Sequence, residues 1–111
     1  MSGHVPKPGS LTISSVLVDG AVTVSLQGEL DLASARRMEE RLSAIDEGGP
    51  SRVIVDLGGL AFLDSTGLRV LLLADARARE RGYELVLRPG EESVQRVFEV
   101  TGALDVLRFE S

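Results

Sequence analysis

Leu11 to Leu17 (LTISSVL) and Ala21 to Gln27 (AVTVSLQ) alternate apolar and polar residues, and Asp19-Gly20 lies between the two runs. A period of two sends successive side chains to opposite faces of a strand, and Asp-Gly supplies the positive-φ pair that a two-residue turn demands. The pattern predicts an opening β-hairpin, broken at Gly28. From Asp31 the period changes. Ala35, Met38, Leu42 and Ile45 recur every three or four residues, while Arg36, Arg37, Glu39, Glu40 and Arg41 fall largely off that stripe. This is an amphipathic helix opened by Asp31 and stopped by Gly48-Gly49-Pro50, where glycine permits a left-handed terminus and proline cannot continue the helix.

Arg52 to Leu57 (RVIVDL) is a compact β-branched run and reads as a buried strand, with a short loop over Gly58 to Leu63. A second helix is expected from about Ser65 to Arg81, ending at Gly82. Glu84 to Leu87 is the next strand, closed by a Pro89-Gly90 turn. A third helix spans Glu91 to Val100, with Val94, Val97 and Phe98 inward and Glu91 and Glu92 in the first turn, where acidic groups oppose the helix dipole favourably. Gly102 ends it, and Val106 to Phe109 reads as a last short strand. The order ββαβαβαβ implies an α/β fold: a mixed sheet begun by a hairpin, with helices packed on it. The domain occupies residues 11–111 and follows a flexible arm over residues 1–10, rich in Gly, Pro and Ser.

Composition narrows the chemistry. A chain of 111 residues fits one domain able to bury a core unaided. It holds no cysteine, which removes disulfides and thiolate metal sites and is compatible with the cytoplasm. Acidic residues exceed basic ones by five, and neither a basic stripe nor an aromatic-tiled face is present, which argues against direct nucleic-acid binding. No apolar run reaches the ~18 residues of a membrane span, and residues 1–10 contain no apolar signal core.

The stretch Phe62-Leu63-Asp64-Ser65-Thr66-Gly67-Leu68 is the most distinctive in the chain. Asp64 is a natural N-cap, which places Ser65 and Thr66 at the first two helical positions. One cap needs one residue, yet three polar residues stand here. Gly67 costs up to ~1 kcal/mol against alanine in a first turn, and its missing side chain lets another backbone come close. A hydrolytic serine needs a base. The only histidine, His4, and the only lysine, Lys7, both lie in the arm, and Leu63 stands where a G-x-S-x-G elbow has its first glycine. Capping and modification by a partner kinase remain open on the residues alone. A phosphate adds roughly −1.5 to −2 charges, which a helix N-terminus tolerates and a partner docked over the site does not.

Leu68, Leu71, Leu72, Ala74 and Ala78 fall on or near one arc of the second helix and are expected to pack on the sheet. Leu73 lies opposite, with Arg69, Arg77 and Glu80, on the side where a partner could dock; core or incidental exposure is the competing reading. Arg69 could pair with a phosphate or an acidic surface, or be a solvated helix residue. Gly58-Gly59 reads as a turn, since no Gly-Lys-Ser/Thr follows to make a phosphate cradle.

Gly28-Glu29-Leu30-Asp31, Val53 to Asp56, the Asp64-Ser65-Thr66-Gly67-Leu68 block, and Val97-Phe98 with Thr101-Gly102 together resemble the STAS-domain anti-sigma factor antagonists of bacteria, over about Leu11 to Phe109. The resemblance implies a SpoIIAA-like fold and a non-enzymatic partner switch. The unphosphorylated antagonist binds an anti-sigma factor that is also a serine kinase of the histidine-kinase-like ATPase fold, and so frees a sigma factor. The kinase phosphorylates the serine after the aspartate, here Ser65, and a PP2C-type phosphatase reverses the step. ATP and metal belong to those partners, so this chain needs no cofactor. By the same resemblance, Asp31 is the acidic residue near the serine loop. Asp31, Asp64, Thr66, Gly67, Arg69 and Leu73 are then the expected partner-binding residues. The family commonly has glycine where Arg69 stands. A phosphate-independent scaffold and a small-ligand or nucleotide-binding module are the alternatives.

Overall fold

A computed structural model of the chain describes residues 10–110. His4, Lys7 and the expected arm, Ser10 excepted, lie outside the described residues. The hairpin forms where the alternation places it. Strands β1 (Leu11–Val18) and β2 (Ala21–Leu30) pair antiparallel in unbroken register, from Leu11 opposite Gly28 to Val18 opposite Ala21. Asp19 (φ 51°) and Gly20 (φ 83°) make the turn with the two positive φ angles its residues favour. There follow α1 (Ala35–Glu47), β3 (Arg52–Leu63), α2 (Ser65–Arg81), β4 (Glu84–Arg88), α3 (Glu92–Thr101) and a 3-10 turn over Ala103–Asp105. The sheet runs β1-β2-β3-β4, with β2, β3 and β4 mutually parallel.

One core lies between the sheet and its helices. Alternate strand residues Val24, Leu26, Val53, Val55, Leu57, Leu85 and Leu87 meet Met38, Leu42, Leu68, Leu71, Ala74, Ala78, Val94 and Phe98 there. The intervening residues of β3 and β4 face the other way and make two charged rows. Arg52 pairs with Glu84 at 3.1 Å, and Arg88 pairs with Asp56 at 3.5 Å and Glu110 at 2.9 Å. Ile54 and Val86 sit between those rows in the register and are buried. Parallel strands ordinarily need cover on both faces; here long charged side chains and their apolar stems stand in for a second helical layer.

Four boundaries differ from the pattern-based expectation. Gly28 does not end β2. The strand continues to Leu30, and Gly28 (φ 103°) gives way to the backbone of Ser10, whose carbonyl would lie 2.0 Å from a Cβ there. Gly58-Gly59 and the following residues are not a loop but part of β3. Against β2 the register slips between Ser25 and Gln27 and again between Gly28 and Glu29, so β3 carries an extra residue at each slip. Glycine suits such bulges, and a Cβ on Gly59 would meet the Leu26 carbonyl at 2.7 Å. Helix α1 starts at Ala35 with Ser34 at its N-cap position, not at Asp31. Val106 to Phe109 is not a strand: it joins the sheet through a single bridge, Leu87 to Phe109, because Phe109 turns inward onto Phe98 with ring centroids 5.1 Å apart, edge to face.

The C-terminal end of α1 is clamped to the α2–β4 connection by a buried carboxylate. The Tyr83 hydroxyl donates to Asp46 at 2.7 Å and Arg81 Nε donates at 2.9 Å. Burial by itself would raise the Asp46 carboxyl, but the hydrogen bonds from Tyr83 and Arg81 outweigh it and hold the group below the usual carboxylate range. The Tyr83 hydroxyl is pushed up to about 12, by burial and then by Asp46.

Candidate functional site

The parallel strands β2 and β3 both end at the N-terminal ends of α1 and α2, so the two connections that follow them meet. Asp64 (φ −110°, ψ −178°) is extended and caps α2 as expected: its Oδ1 accepts the Gly67 amide at 3.0 Å. Its Oδ2 does something the sequence did not suggest and accepts the Leu32 amide, from the β2–α1 connection, at 3.2 Å. The Asp64 amide in turn donates to the Leu30 carbonyl at 3.3 Å.

Ser65 follows the cap and is exposed at the first position of a seventeen-residue helix. Its side chain is open to solvent, while Thr66 beside it is half-buried. Gly67 is buried. The close approach it permits is to the chain's own β2: a Cβ would lie 2.6 Å from the Leu30 carbonyl oxygen, 2.7 Å from Leu30 Cγ and 3.0 Å from Leu63 Cδ1. The low bulk at Gly67 therefore seats the helix start against β2 and leaves the hydroxyl of Ser65 outside.

Asp31 is near the serine loop but beneath it. It is only 8% exposed, and its Oδ1 accepts the amides of Ala33 and Ser34, each at 3.0 Å. Ser34 is fully buried. Its hydroxyl donates to the Glu29 carbonyl at 2.8 Å and accepts the Asp31 amide at 3.0 Å. This interlocked turn replaces the simple Asp31 cap expected from the sequence. Nothing in the sequence singles out Ser34, because a lone serine inside the turn does not show that its hydroxyl will be buried against the Glu29 carbonyl five residues back.

Leu32 projects from the turn, 76% exposed, and Leu73 stands 45% exposed on α2. Between the two helices lies an open groove of about 410 Å³, whose lining includes Leu32, Ala35, Thr66, Val70 and Leu73, with Arg36, Arg69 and Glu39 contributing charge. Arg69 makes no ion pair among the described residues, and Arg36 only a loose, exposed one to Glu40 at 3.7 Å. Among the described residues no group of three or more His, Cys, Asp or Glu could hold a metal ion. No described helix is long and apolar enough to cross a membrane. The site is a surface: Thr66 lines its groove, the exposed Ser65 adjoins Thr66 in the chain, and among the described residues no side chain hydrogen-bonds the Ser65 hydroxyl.

A small α/β domain with an open groove across two helix starts and an exposed serine beside a capping aspartate is the class these features define. Residues 13–108 match the family model described as Mlab, STAS domain. BtrV of Bordetella bronchiseptica, assigned as an anti-sigma factor antagonist, is 39% identical over 89 residues, covering 80% of this chain and 77% of BtrV. An anti-sigma factor antagonist from Mycobacterium paratuberculosis superposes with TM-score 0.80 at 27% identity, covering 95% of this chain and 89% of that one. SpoIIAA of Bacillus shares the fold in its unphosphorylated form (TM-score 0.77, 20% identity, 90% of this chain and 89% of that one) and its phosphorylated form (0.70, 22%, 90% and 92%). The chain belongs to the STAS domain family and, within it, to the anti-sigma factor antagonists, which are regulatory binding proteins and not enzymes.

Proposed function

We propose that this antagonist works by partner switching at Ser65. In the unphosphorylated state the surface around Ser65 binds an anti-sigma factor that is also a serine kinase of the histidine-kinase-like ATPase fold, and the sigma factor goes free in the cytoplasm. The kinase then transfers the γ-phosphoryl of ATP to Ser65 Oγ. A new O–P bond forms, the bond to ADP breaks, and the hydroxyl proton passes to a base on the kinase, since this chain offers none at the site. The added charge of about −1.5 to −2 expels the partner from the surface, and a PP2C-type phosphatase hydrolyses the ester to restore binding.

The exposed position of Ser65 at the first turn of α2, next in the chain to Thr66, which lines the groove, carries the reading. A helix N-terminus accommodates an anion through its free amides and dipole, so the domain stays folded when modified. The phosphorylated form of SpoIIAA, which shares this fold, adds support. Incubation with the kinase-type anti-sigma factor and ATP, followed by mass spectrometry, is expected to place one phosphate on Ser65. Ser65→Ala should remain unmodified, and Ser65→Asp should bind the kinase at least tenfold more weakly. Phosphate on another residue, or undiminished binding of Ser65→Asp, refutes the proposal.

A further inference from the structure

Leu32 is the most exposed large apolar side chain of the described residues, yet its backbone is tightly held. Its amide donates to Asp64 Oδ2, while the turn beneath is closed by Asp31 on Ala33 and Ser34 and by the Ser34 hydroxyl on the Glu29 carbonyl. An N-cap needs a single oxygen, and Asp64 Oδ1 already serves Gly67. The second oxygen reaches thirty-two residues back along the chain. With its backbone held at this point, Leu32 presents an apolar side chain to water from a fixed position, which lowers the ordering cost when something binds there.

Across the groove stands Leu73, with Ala35, Val70 and Thr66 between. The whole chain carries a net charge of −5, but the groove has two arginines, Arg36 and Arg69, against one acid, Glu39. The local sign is therefore opposite to that of the protein. Building on the partner-switch reading, we propose that Leu32 is the apolar anchor of the docking surface, that Asp64 is the positioning residue that holds it, and that the groove between Leu32 and Leu73 receives an apolar side chain of the anti-sigma factor lying beside an acidic one. The occupant follows from the groove itself: apolar walls, a guanidinium at Arg69 with no ion pair among the described residues and one at Arg36 held only by a loose, exposed pair to Glu40, and continuity with the surface that a phosphate on Ser65 would close.

Two measurements on the full chain test this. Asp64→Ser keeps a good N-cap but has one oxygen in place of two. By amide solvent-exchange NMR, the Leu32 amide should exchange about tenfold faster in this variant while the Gly67 amide keeps its protection, as expected for loss of one local hydrogen bond. This needs no partner, and an unchanged Leu32 amide overturns the positioning role. Then, with the kinase-type anti-sigma factor, Leu32→Ala and Asp64→Ser should each weaken binding, Leu32→Ala by about tenfold or more as befits an interface anchor. The double variant should bind no more weakly than Leu32→Ala alone, since a residue acting through Leu32 has nothing left to position. Additive losses overturn the positioning role of Asp64, and full affinity in Leu32→Ala overturns the anchor. Arg69→Glu should weaken binding as well; stronger binding would reverse the inferred charge of the partner. Failure of the unsubstituted protein to bind would instead sink the switch reading.

Discussion

Replacing Gly67 with alanine in the first turn of α2 sets two effects of opposite sign against each other. In an exposed helix, glycine to alanine stabilises by up to about 1 kcal/mol, through reduced backbone entropy in the unfolded chain. At Gly67 the added methyl would sit 2.6 Å from the Leu30 carbonyl oxygen and 2.7 Å from Leu30 Cγ. The first contact is with backbone, so no rotamer change relieves it; the helix start must move away from β2. Overpacking of this kind costs about 1–3 kcal/mol, and a clash this close with backbone belongs in the upper part of that range, at about 2–3 kcal/mol, which leaves a net destabilisation of about 1–2 kcal/mol after the propensity gain. With roughly 4–8 °C per kcal/mol for a domain near 100 residues, Gly67→Ala should melt on the order of 5–15 °C below the parent. Ala76→Gly, at an exposed position in the same helix, is the control and should lose about 1 kcal/mol from propensity alone. Thermal and urea unfolding followed by circular dichroism measure both. If Gly67→Ala melts at or above the parent temperature, the close approach of α2 to Leu30 is not what requires glycine, and the account of how Ser65 is presented fails with it.

Ser34→Ala should destabilise the domain by about 1–3 kcal/mol in urea unfolding, because it removes two buried hydrogen bonds, one to the Glu29 carbonyl and one from the Asp31 amide. The Asp46–Tyr83 clamp should give stability that depends on pH at both ends. The depressed Asp46 carboxyl contributes above the unfolded value near 4, and its contribution is lost as pH falls through the still lower folded value. Tyr83 contributes below its unfolded value near 10, and this is lost as pH rises towards about 12. Tyr83→Phe should remove the alkaline loss between those values, and an unchanged alkaline profile in urea titrations would contradict the assignment.

Several elements were legible because their signals are local. Asp19-Gly20 between alternating runs specifies its own turn, and Asp64, Gly82 and the Leu68, Leu71, Ala74, Ala78 arc mark the bounds and buried face of α2 within a few residues of themselves. The errors fall where a buried contact, with a distant strand or within one turn, overrides such a signal. Gly28 and Gly58-Gly59 look like breaks, but they are places where a strand bulges or another backbone passes. Asp31 looks like a cap, but Ser34, locked to Glu29, moves the helix start to Ala35.

The order of acid, hydroxyls and glycine at residues 64–67 determined by itself that a helix would begin there with Ser65 just past the cap, since capping is a contest among atoms three residues apart. That the residue before Ser65 holds the Leu32 amide, that Asp64 spends its second oxygen on a turn formed thirty-two residues earlier, and that Leu32 and Leu73 frame one groove were decided only when β2 and β3 paired in parallel. Parallel pairing brings the ends of both strands, and the helix starts that follow them, to one edge of the sheet, and no spacing along the chain records that proximity.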